Sequence, residues 1–191
     1  MSDFEFVFAL YSLLLGLSMV ELLGGLGRAL EARFTAEAEK ERFAIGWLTP
    51  LLAVFVMLDL LSFWASAWRV KADVVVSSTA LMAVVAFAGL YFLAARLVFP
   101  SHPEGFANLD THYFRVRRLV FGLLLVLLGA QLAYFLNHPD LSRLLFRPFP
   151  LGMTLLFVAL VVAAMGVKGR RASIAILSLL IARYIVANLI V

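Results

Sequence analysis

Apolar residues run almost unbroken through six stretches of the chain, separated by short clusters of charge, proline and glycine. The stretches cover about 4–26, 45–68, 74–98, 119–136, 149–167 and 172–191. Each comes close to the ~20 residues a helix needs to cross ~30 Å of hydrocarbon. In lipid, only helices and closed barrels satisfy every backbone polar group internally. A barrel would show shorter segments alternating with period two, and these runs do not alternate. The pattern predicts an all-α fold: a polytopic membrane helix bundle of six transmembrane helices, forming a single domain over residues 1–191.

The punctuation fits that division. Residues 28–43 form a charged connector, with Arg28, Arg33, Lys40 and Arg42 interleaved with Glu31, Glu37, Glu39 and Glu41. Such alternation reads as a solvated helical extension of the first span. Thr49-Pro50 suits a first helical turn, where a missing N–H breaks no bond. Pro100 and Pro103 close the third span, and Pro139 follows the fourth. Pro148 and Pro150 open the fifth and make it the weakest of the six, with a re-entrant turn as the alternative to a crossing.

Composition turns the pattern into a statement about solvent. The chain has 191 residues, 64% of them hydrophobic and 15% charged. A soluble domain runs nearer ~45–50% apolar and ~25% charged, so the surface itself is expected to face lipid. There are no cysteines, which excludes disulfides and thiolate chemistry. The net charge of +4 comes without a basic run interleaved with aromatics, so nucleic acid is not an expected partner. Of the sixteen Lys and Arg, eleven fall in the first, third and fifth connections and four in the second and fourth. Cytoplasmic loops hold the positive excess, so both termini are expected outside. The opening residues lack the positive region of a secretory signal, and the first stretch is expected to remain as a helix. Trp47, Trp64, Trp68, Tyr91 and Tyr134 lie near predicted span ends, as interfacial aromatics do. The run 13–23 faintly echoes 123–133, as two three-helix halves of opposite topology would.

The polar residues inside these stretches carry the candidate chemistry. Glu21, Asp59, Gln131 and Arg183 stand in otherwise apolar runs. A charge at the bilayer centre is costly and must turn inward to a partner. At 1.5 Å per residue, Asp59 lies ~21 Å from the start of its stretch, Gln131 ~18 Å and Arg183 ~17 Å, close to one layer near the midplane. Glu21 lies ~8 Å from the end of its own, nearer the cytoplasm. Asp59, Ser62, Ser66 and Arg69 share a helical face, as do Tyr11, Ser18, Glu21, Gly25 and Arg28, and Tyr184 pairs with Asn188. Two outcomes compete. Asp59 and Arg183 form a buried ion pair that fixes helix register, or Glu21, Asp59, Gln131 and Arg183 line an ion, proton or polar-substrate pathway. Gly16, Gly24, Gly25, Gly27, Gly122 and Gly129 are expected to let helices approach closely.

The connections are less informative. His102, Glu104, Asp110 and His112 are metal-ligating types, but their spacing is not compact, so the loop reads as solvated and no metal is expected. Arg115, Arg117 and Arg118 are expected among anionic lipid headgroups. All three histidines fall in connections, so haem ligation within the bundle is not expected. His-Glu-x-x-His is absent. No catalytic motif or cofactor site is expected.

The strings Gly46-Trp47-Leu48-Thr49-Pro50, Asp59-Leu60-Leu61-Ser62-Phe63-Trp64, Leu97-Val98-Phe99-Pro100 and His112-Tyr113-Phe114-Arg115-Val116-Arg117-Arg118 resemble those of small, uncharacterised bacterial inner-membrane proteins. The resemblance implies a bacterial cytoplasmic membrane and no particular activity. The expected function is a small transporter or channel-like protein for an ion, proton or small polar solute, with a second copy of the chain, in a homodimer, as a candidate partner. The alternative is a non-catalytic scaffold whose charged connector docks a cytoplasmic partner.

Overall fold

The computed structural model describes residues 3–38, 43–68 and 76–190. Seven α-helices follow in order: α1 (Asp3–Ala38), α2 (Leu48–Ala67), α3 (Ser78–Val98), α4 (Asp110–Leu136), α5 (Pro139–Leu145), α6 (Pro148–Gly166) and α7 (Arg170–Ile190). No strand forms among the described residues, although a parallel bridge pairs Ala44 with Asn108. The all-α architecture is as the hydrophobic pattern predicts. Glu39, Lys40, Glu41, Arg42, Arg69 and the side chain of Asn188, all named above, lie outside the described residues.

Among the described residues, five helices, α1 to α4 and α6, are long and apolar enough to cross a membrane. The expectation of six is met for those five. α7 is 21 residues long and opens with Arg170 and Arg171, with Arg183 further along it. The fifth predicted span is continuous helix from Pro148, since both prolines fall in the first turn of α6. α4 begins at Asp110 rather than near 119, which brings Arg115, Arg117 and Arg118 into the helix. α5 was not foreseen; it is a seven-residue helix with Pro139 in its first turn.

α2 is the centre of the bundle. It packs against α1, α3, α4 and α7, and half of its apolar window is buried, against 17–28% in the other four long helices. α1 lies along α3, and α6 joins α7 and α4. The outer faces are apolar: Leu13, Val20, Met82, Val126 and Leu155 each leave more than half of their surface exposed. Those side chains have no water-compatible role, and a hydrocarbon solvent removes the penalty of exposing them.

The first, third and fifth connections meet at one end of the bundle. Ala44 N–H donates to Ala107 O at 3.0 Å, and Leu109 N–H donates to Ala44 O at 3.0 Å. Asp110 accepts from the N–H of Leu48 at 2.9 Å and so caps α2 from another helix. Its other oxygen pairs with Arg170 at 2.7 Å, tying α7 to the same point. Gly46 makes this possible: its φ is +70°, and a Cβ there would collide with the Asp110 carboxylate. Thr49 Oγ1 donates to Leu109 O at 2.9 Å. Asp110 and His112 are therefore buried, and the third connection is not simply solvated.

Among the glycines expected to permit close approach, Gly25 does so: a Cβ there would lie 2.6 Å from the ring of Phe99. At Gly16, Gly27, Gly122 and Gly129 there is open space instead.

Candidate functional site

Central placement makes α2 the helix best able to shield a carboxyl from lipid, and it carries Asp59, which is 2% exposed. The hydroxyl of Tyr91 on α3 donates to Asp59 Oδ2 at 2.6 Å and also lies 3.2 Å from Val56 O. The hydroxyl of Tyr184 on α7 donates to Oδ1. Two phenols from two helices thus hold the one carboxyl, and each closes a contact between α2 and a neighbour. Phe63 stacks edge-on against Tyr91, with ring centroids 5.7 Å apart, which fixes that phenol in place.

Beside Asp59 opens a cavity of about 470 Å³, walled by α2, α4, α5, α6 and α7. Asp59, Gln131 and Arg183 all line it. Ser62 and Ser66 follow Asp59 along α2, and Gln131 Nε2 donates to Ser66 Oγ at 3.0 Å. Arg183 donates through Nε to Met153 O on α6 at 2.8 Å. Its guanidinium lies 4.9 Å from the Phe157 ring centroid and 4.8 Å from that of Tyr184. Thr154 and Arg147 complete the polar lining, and the remaining wall is largely Leu and Phe.

Three of the four residues expected to line a pathway share this one cavity. Glu21 does not. It sits toward the arginine-rich end, where its Oε1 accepts from Arg28 at 2.9 Å and from Arg96 at 2.8 Å. Arg96 also donates to Ser101 at 2.9 Å. The expected ion pair between Asp59 and Arg183 is replaced by an indirect link. Tyr184 bonds the carboxyl through its hydroxyl and offers its ring face to the guanidinium.

Other residues take places that their type alone did not indicate. Tyr91, read as interfacial, is fully buried, whereas Trp47, Trp64, Trp68 and Tyr134 are exposed. A signal was present: Tyr91 lies ~10 Å from the end of α3 and ~20 Å from its start, too deep for the headgroup region. Of the arginines expected among headgroups, Arg115 and Arg118 are exposed. Arg117 is 4% exposed; it donates to Ala164 O at 3.1 Å and to Val167 O, and so caps the end of α6. His102, Glu104, Asp110 and His112 do not converge, and no metal-ligating group of three forms among the described residues. His112 Nε2 instead lies 3.0 Å from Leu97 O.

Comparison with protein families, curated proteins and solved structures finds no match, so the chemistry must be read from this cavity alone.

Proposed function

We propose that the chain is a small transporter or channel-like protein of a bacterial inner membrane, and that the cavity at Asp59 is part of its path for an ion, proton or small polar solute. The observation that carries this is the meeting of a carboxyl, an amide and a guanidinium from three helices in one cavity deep within an apolar bundle. Intramembrane ionisable groups that face a cavity mark substrate and proton routes.

In this arrangement α7 is a sixth crossing helix. Arg183 turns toward the cavity, while Leu179, Ile185 and Val186 stay exposed on the outside. The arginine-rich end faces the cytoplasm, both termini lie outside, and the mouth of the cavity near Arg147 opens outward. Glu21, held by Arg28 and Arg96, forms a second polar station at the inner end.

Flux into proteoliposomes tests this, with an internal pH dye and with ion gradients. Wild-type protein should accelerate proton or ion entry over protein-free vesicles, and Asp59→Asn should cut that flux at least about tenfold, or ~1.4 kcal/mol in barrier, while eluting as wild type from a sizing column. No flux above empty vesicles, or an unaltered rate in Asp59→Asn, would sink the proposal.

A scaffold role has one observation in its favour. α1 is 36 residues long, so it extends ~54 Å against ~30 Å of hydrocarbon. Its charged last turns expose Phe34. A cytoplasmic protein captured by wild type and lost with Phe34→Ser, alongside silent vesicles, would favour docking over transport.

A further inference from the structure

We propose that the cavity binds a small amphipathic oxyanion, a carboxylate or phosphate group on an apolar body, with Arg183 as its anchor. This deepens the reading of the cavity as a solute path and rests on it for any movement of the ligand, though not for binding.

The charge balance of the cavity points to an anion. Among the described residues its lining holds two guanidiniums, Arg183 within and Arg147 at the exposed rim, against the carboxyl of Asp59. That carboxyl already takes an O–H donor at each oxygen, from Tyr91 and Tyr184. Arg183 has no carboxylate partner among the described residues; its one protein acceptor given by the geometry is the neutral carbonyl of Met153. Arg183 is half-buried and makes no direct ion pair with Asp59 among the described residues, so an incoming oxyanion supplies the direct, two-pronged partner that its guanidinium lacks.

The posture of Arg183 suits the same ligand. The Nε bond to Met153 O and the ring faces of Phe157 and Tyr184 fix the plane of the guanidinium. A planar fork held this way favours two-pronged recognition of carboxylate or phosphate, which an ammonium cannot reproduce. An apolar body suits the rest of the ligand, because Leu128, Phe135, Leu144 and Phe149 form much of the remaining wall. At about 470 Å³ the cavity lies within the ~300–1,000 Å³ range of small-molecule sites.

Two sources supply this chemistry: a free organic acid from solution or the headgroup region of an anionic lipid. The experiment uses purified full-length protein in phosphatidylcholine nanodiscs, with radiolabelled decanoate followed by scintillation proximity. Decanoate should bind saturably. Arg183→Gln should weaken binding at least about tenfold, Arg183→Lys should fall between, and decanol should compete at least about tenfold less well than unlabelled decanoate. Competition by phosphatidylglycerol assigns the lipid source, and its failure to compete assigns the soluble acid; either supports the oxyanion site. Absence of saturable binding, equal competition by decanol, or an unaltered affinity in Arg183→Gln would overturn it. If Arg183→Gln does not fold, phenylglyoxal labelling of Arg183 in the wild type decides: decanoate must slow it, and lack of protection overturns the proposal. Binding without flux would refute the transport function and leave this site standing; flux without binding would do the reverse.

Discussion

Asp59 is the residue on which the interior is organised. A lone carboxyl in an apolar run is visible from sequence, because nothing in lipid can solvate it. Its partners are harder to see. Arg183 is the obvious counter-charge, yet the oxygens go to Tyr91 and Tyr184, because helix rotation and not residue type decides which side chain arrives first. Tyrosine is also ambiguous in a membrane sequence, since its amphipathic ring serves equally at the interface and in the core. Removing either hydroxyl strands one carboxylate oxygen. Tyr91→Phe and Tyr184→Phe should each destabilise the protein by ~1–3 kcal/mol, read as a lowered midpoint of thermal unfolding in detergent. A midpoint unchanged in both variants would show that the phenols do not hold the carboxyl. Residues of one network are not additive, so the double variant should differ from the sum of the two.

Among the elements, α4 shows how a charged run is split by helical geometry. Arg117 and Arg118 are adjacent in sequence but ~100° apart on α4, so one enters the bundle while the other stays exposed. Arg117 meets the carbonyls of Ala164 and Val167, where the last turn of α6 leaves acceptors unpaired and a cation opposes the helix dipole. The basic character of the run was legible; the burial of its middle member was not, because it required α4 to begin at Asp110. Arg117→Gln should cost ~1.5–3 kcal/mol, the worth of a hydrogen bond to a charged group, with faster amide exchange confined to the end of α6. Arg118→Gln should leave that exchange as in the wild type. Equal protection in both variants would contradict the cap.

For the whole molecule, the six apolar runs are recovered as helices, most edges shifted by a few residues, with α1 running on to Ala38 and α4 starting as early as Asp110, since continuous hydrophobicity specifies a lipid-solvated helix almost without regard to its neighbours. What the runs could not show was which helix would be central. That depends on how seven elements share their faces, and the structure gives the place to α2. Because the chain has no cysteine, its crossings can be tested with single introduced thiols. On intact cells, a membrane-impermeant maleimide should label Arg143→Cys and a cysteine appended after Val191. It should reach Lys168→Cys only after lysis. Labelling of Lys168→Cys without lysis would reverse or break the proposed topology, and protection of the appended thiol would leave α7 short of crossing.

Asp110 has a bearing on how such a chain is made. The first turn of α2 receives its cap from a residue 62 positions further on, and α7 is moored to the same carboxylate by Arg170. A ribosome delivers α2 to the bilayer well before that acceptor emerges, so the central helix enters with its leading amide unmet. The cap closes only when α4 arrives, and the mooring only once α7 is made. Assembly at this end is thus ordered by the sequence of synthesis, and a chain truncated before Asp110 would carry an α2 that is inserted but not yet seated.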